Sequence, residues 1–143
     1  MIESTLVVPS IFVYSLIKPA FGSCYGLIRY KWFSKLQFKS LRIKLDLFDE
    51  YYRETCGIAK KNMIAFLQAN SRYSLNHSIK NCSAKICIYV GDKENDAMKI
   101  SARRLHETMT GSSMKILTHM YHGDFSINNV SSYVKEIYEL VKR

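Results

Sequence analysis

Ala84-Lys85-Ile86-Cys87-Ile88-Tyr89-Val90-Gly91-Asp92-Lys93-Glu94-Asn95-Asp96 decides how the rest of the chain is read. Its first seven residues are a nearly continuous apolar run of strand length, as expected for a strand covered on both faces. A polar turn, residues 91–96, follows at the C-terminal end. Met98, Ala102, Leu105 and Met109 then fall at i, i+4, i+7 and i+11, one apolar stripe of a helix, with Gly111 placed to stop it. Met114-Lys115-Ile116-Leu117-Thr118-His119 reads as a short strand, and Tyr121-His122-Gly123-Asp124-Phe125 as a loop. From about Asn129 a last helix carries Val130, Val134, Ile137 and Val141 on one stripe. Strand, helix, strand, helix is an α/β unit with parallel strands. Ligands and chemistry in such sheets sit at the carboxyl ends of the strands, where both polar loops fall.

Working back from this unit, the pattern loosens. Residues 2–8 are β-branched and apolar, consistent with a buried strand ended by Pro9-Ser10. Over residues 11–45 two periods compete. Leu41-Arg42-Ile43-Lys44-Leu45-Asp46-Leu47 alternates like a strand, while Lys31, Lys35 and Lys39 recur at helical spacing; helices are the expectation. Asp46 is placed to cap a helix through Cys56, and a further helix is expected over 58–69. The division that results is a first core strand (1–10), a helical region (11–83) and an α/β segment (84–143).

Composition bounds the function classes. The 143 residues are 48% hydrophobic and 23% charged, enough for a compact domain with its own core. The net charge of +9 is uneven: residues 1–45 hold seven Lys/Arg against Glu3 alone, a net +6. Tyr30, Trp32, Phe33 and Phe38 are interleaved with those cations, a pattern that can meet an anionic surface. No nucleic-acid motif accompanies the charge, so nucleic acid is not expected as a partner. The apolar run of residues 6–17 is shorter than the roughly 20 residues a bilayer needs, and no Lys or Arg precedes it. Neither a transmembrane segment nor a signal peptide is therefore expected. Cys24, Cys56, Cys82 and Cys87 show no CxxC spacing, which favours reduced thiols in a cytoplasmic protein.

A carboxylate at the end of one strand and a histidine just past the next can form the acid–base half of a catalytic triad. The carboxylate fixes the imidazole tautomer, and the other ring nitrogen takes a proton from a nucleophile. Ile86-Cys87-Ile88-Tyr89-Val90-Gly91-Asp92-Lys93-Glu94 resembles the penultimate strand of the α/β-hydrolases, which ends in Gly, two residues and the triad acid. Residues 114–122 resemble the family's last strand and histidine loop, with His122-Gly123 matching the His-Gly often found there. The chain order also fits, since the acid precedes the histidine. The resemblance implies Glu94 as acid and His122 as base, with Asp92 and Asp96 as rivals for the acid position. It covers residues 84–143 well and the earlier part weakly. On it, residues 2–8 correspond to the strand after the nucleophile and 11–83 to a helical cap. The expected fold class is then α/β: a partial α/β-hydrolase fold with about three parallel strands, flanking helices and a cap.

No Gly-x-Ser-x-Gly occurs in the sequence. Gly22-Ser23-Cys24-Tyr25-Gly26 resembles the cysteine elbow of dienelactone-hydrolase-like enzymes, which makes Cys24 the alternative nucleophile. Against it, Pro19 and Lys18 interrupt the strand that an elbow needs. His119-x-x-His122-x-Asp124 lacks further ligands beyond His106, so no metal and no cofactor are expected.

Two functions follow as expectations. The resemblance implies a hydrolase of ester-like acyl substrates, lacking its Ser nucleophile in this chain and inactive alone. The rival is a non-catalytic interaction module that pairs with another chain or binds an anionic surface through the basic aromatic segment. In either case the halved sheet would expose an apolar edge strand inviting a second copy or a complementing chain.

Overall fold

The computed structural model describes residues 1–3 and 7–142, which form two units: 1–8 with 74–143, and 9–73. In the first unit, Ile2–Glu3 (β1), Cys87–Gly91 (β2) and Ser113–Leu117 (β3) make a parallel sheet in the order β1-β2-β3. Ile88 sits opposite Ile2 on one side and Met114 on the other, so β2 is the central strand. All five of its residues are buried. This explains the unbroken apolar run: successive side chains point to opposite faces, and both faces are covered.

The period of two sorts the core into two layers. Ile88 and Val90 pack with Ala102 and Leu105 of the helix Asp96–Thr108 (α5) and with Met109 just past its end. Cys87 and Tyr89 face the other way, onto Leu117 and Phe125, with Tyr133 and Leu140 of the helix Val130–Val141 (α6) packed behind them. Leu75 and Ile79 also pack on the α5 layer, which ties residues just past 73 to the sheet rather than to the helical unit.

The strand expected over 2–8 is seen as β1 over its first residues. Residues 4–6 lie outside the described residues, and Val7 and Val8 are not in a strand. Val7 is instead held on α5, its N–H donating to Ser101 Oγ at 3.1 Å while Ser101 Oγ donates to Ala97 O at 2.7 Å. Ser101 is fully buried. The start of α5 is capped by Asn95, whose side chain accepts from Met98 N at 3.0 Å. Gly111 does not close the helix, which ends at Thr108. It supplies the left-handed backbone (φ 80°) of the turn into β3.

The second unit is helical throughout: Ile11–Cys24 (α1), Lys31–Leu41 (α2), Phe48–Gly57 (α3) and Lys60–Arg72 (α4). The helical period thus prevails over 11–45, and the alternating stretch 41–47 is a turn, with Arg42 left-handed (φ 57°), followed by a 3-10 turn at Leu45–Leu47. That turn displaces the cap expected at Asp46: α3 starts at Phe48 after Leu47, with no side-chain cap. α1 packs on α4, and α2 on α3. Phe38 and Phe48 meet edge to face at 5.4 Å with Tyr51 beside them, which gives this unit an aromatic core. The apolar run of residues 6–17 also continues further than its composition marked. Helical structure over Ile11–Arg29 gives 19 residues of mean hydropathy 1.4, enough to cross a membrane by length and composition alone. It contains Lys18 and Pro19.

Candidate active site

The turn after β2 is built by close backbone approach. A Cβ on Gly91 would lie 2.1 Å from Met120 O, so only glycine lets the two chains meet here. The N–H groups of Asp92 and Lys93 donate to Leu117 O (3.0 Å) and Met120 O (3.1 Å), stitching this turn to the end of β3. The chain then tightens: Glu94 N–H donates to Gly91 O at 3.2 Å, and Gly91 N–H donates to Glu94 Oε1 at 3.3 Å. This exchange turns the Glu94 carboxyl inward, and its side chain is 1% exposed.

In the turn after β3, His119 adopts left-handed backbone (φ 61°), and Gly123 does so again (φ 74°). Just after Gly123, Asp124 organises the loop, accepting from Tyr121 N–H (2.7 Å) and from Asn128 Nδ2 (2.6 Å). Asp124 is thus a turn-forming residue here. The π-helical turn Asp124–Asn128 is further anchored by Glu3, whose Oε1 accepts from Phe125 N–H (3.2 Å) and Ser126 N–H (3.4 Å).

These two constructions bring together the two residues that the order of motifs singled out. His122 Nδ1 lies 3.3 Å from Glu94 Oε2. The imidazole is 59% exposed and its Nε2 has no hydrogen-bond partner among the described residues. With Nδ1–H donating to the carboxylate, Nε2 carries the lone pair and can accept a proton.

Asp92, Asp96 and Cys24 are each held differently. Asp96 opens α5, 91% exposed and paired with Lys99 at 3.2 Å. Asp92 shares the turn with Glu94, but its Oδ1 is buried with no hydrogen-bond partner among the described residues. Cys24 is the last residue of α1, in the helical unit, so a helix rather than a strand runs into Gly22-Ser23-Cys24. The strand–turn–helix geometry of a nucleophile elbow is absent there. Among the described residues no three His, Cys, Asp or Glu side chains are grouped to hold a metal ion. Glu3 is the site residue that motif reading overlooked. Its partner lies 122 positions away, and no local pattern announces it.

Three parallel strands, helices on both faces and polar loops at their carboxyl ends make an open α/β sheet. No family model matches the chain, and no curated protein matches it. Among solved structures, bromoperoxidase from Bacillus anthracis superposes with a TM-score of 0.61 at 14% sequence identity, over 71% of this chain and 37% of that one. The likeness is one of fold, and the chain spans well under half the length of that protein.

Proposed function

We propose that this chain forms the acid–base half of an α/β-hydrolase active site acting on ester-like acyl substrates. The observation that carries the reading is the Glu94–His122 contact: a buried acid holding an exposed imidazole at the carboxyl edge of a parallel sheet. In this reading His122 Nε2 takes the proton of a nucleophile and later returns it to the leaving group. Glu94 fixes the tautomer and stabilises the imidazolium. Gly91 N–H holds one carboxylate oxygen while the other meets His122.

The nucleophile is to be supplied from beyond these residues, by further sequence or by a partner chain carrying a strand, a nucleophile turn and a helix. Among the described residues β1 has a strand neighbour on one side only, and that free side is the docking edge the proposal uses.

The test is hydrolysis of p-nitrophenyl butyrate. The 143-residue chain alone should not exceed the buffer rate. The chain completed with a nucleophile-bearing segment should turn over, and His122→Ala should lower that rate by roughly 100-fold or more. Turnover by the isolated chain that disappears with Cys24→Ala would move the nucleophile to Cys24. A completed enzyme indifferent to His122→Ala would remove the pair from catalysis.

A further inference from the structure

The helical unit carries a groove that the hydrolase reading does not use. It runs along the C-terminal half of α2, around the turn at Arg42 and onto the start of α3. Lys35, Phe38, Lys39, Arg42, Ile43, Leu45 and Phe48 line it, around a volume of about 740 Å³. That size is within the usual range for small-molecule sites. Its floor is rigid: Phe38 is 1% exposed and locked edge to face against Phe48, and Lys35 Nζ lies 5.6 Å above the Phe48 ring. Three of the seven lining residues are cations and none is acidic. Residues 31–48 carry five Lys/Arg against Asp46, and Asp49 and Glu50 follow in the first turn of α3, so the cations lie along the α2 side of the groove.

An apolar trough with cations along it selects a ligand with one apolar chain and one negative end. We propose that this groove binds a free single-chain carboxylate of the fatty-acid type, its alkyl chain against Phe38, Ile43, Leu45 and Phe48. Its carboxylate would be met by Lys35 or Lys39. Phe38 and Phe48 form a buried floor while Leu45 stands 80% exposed at the rim, and a recessed floor favours a single free chain over a bilayer. The groove lies wholly within residues 35–48, so the proposal stands or falls separately from the Glu94–His122 reading.

Calorimetric titration of the whole protein with decanoate and dodecanoate, below their micellar concentrations, reads the site. Two added methylenes should tighten binding on the order of tenfold. Dodecanol, with the same chain and no charge, should bind tenfold or more weakly. Lys35→Glu/Lys39→Glu, two exposed positions whose exchange should leave the circular dichroism spectrum unchanged, should weaken dodecanoate by at least tenfold. Leu45→Ser should flatten the chain-length dependence. Equal affinity for dodecanoate and dodecanol, or indifference to the charge reversal, would overturn the proposal. Binding to phosphatidylglycerol vesicles without binding of free dodecanoate would overturn it too, and would assign the face to a membrane surface.

Discussion

Glu3 of β1 caps the turn that follows His122: its Oε1 accepts the backbone N–H of Phe125 at 3.2 Å, and that of Ser126 at 3.4 Å. A carboxylate at the start of a helical turn satisfies amides that the turn itself cannot, and it complements the local dipole. The first strand therefore does more than extend the sheet. It fixes the far end of the loop whose tip is His122.

Glu3→Ala should accordingly lower stability by about 1–3 kcal/mol, the usual cost of leaving charge-assisted bonds unmade. Urea unfolding measures the loss. Amide hydrogen exchange should speed at Phe125 and Ser126 more than at Ile88 in the sheet centre. Uniform exchange at both places would mean that Glu3 does not anchor the loop.

Gly91→Ala should cost about 1–3 kcal/mol, because the new methyl would meet backbone, Met120 O, which cannot rotate away. Gly57→Ala serves as the control: nothing lies within 4 Å of the added atom, so the same substitution should change the midpoint of unfolding far less. Similar losses at both positions would remove the close approach as the cause.

The two partners of the central pair should separate in their effects. His122→Ala removes a side chain that is mostly in water, and stability should stay within about 0.5 kcal/mol of the parent. Glu94→Ala deprives the Gly91 N–H of its acceptor in a buried setting and should cost about 1–3 kcal/mol. Denaturant titration of both variants distinguishes them, and a larger loss for His122→Ala would reverse the assignment of roles.

Ser101→Ala should cost about 1–3 kcal/mol by leaving the Val7 N–H buried and unpaired. Ser112→Ala, at an exposed contact with His106, should cost less than half of that. The comparison needs only thermal unfolding of the two proteins.

The α/β unit is legible from local pattern because β2 is covered on both faces and α5 keeps its helical period. The run 86–90 is apolar on both faces because both are covered, and Ala102, Leu105 and Met109 are buried as their spacing implied. The placement of Glu94 and His122 followed from chain order and from the loops' shared edge. α6 departs from its pattern. Of the stripe Val130, Val134, Ile137 and Val141 only Ile137 is half-buried and the three valines are exposed, while Tyr133 and Leu140 pack on the sheet side. Tyr89 and Lys115 explain the rotation, since both reach Glu136 (2.8 and 3.3 Å) and so turn its face of the helix inward. Asp46 had the chemistry of a cap, but the left-handed turn at Arg42 and the 3-10 turn after it moved the helix start to Phe48. The bonds from Glu3 to Phe125 and from Val7 to Ser101 join residues about a hundred positions apart. No local window contains both ends of either bond.

One ring nitrogen of His122 is tethered and the other lies open to water, so the imidazole can be reached without loosening anything around it. A small electrophile such as diethyl pyrocarbonate should acylate it at Nε2 at the rate of an unhindered histidine, with the sheet intact and Glu94 still sealed beneath. When a nucleophile-bearing segment or chain docks over that edge, His122 should become slow to react. Loss of reagent access at one residue would then count the occupied sites directly, before any substrate is known.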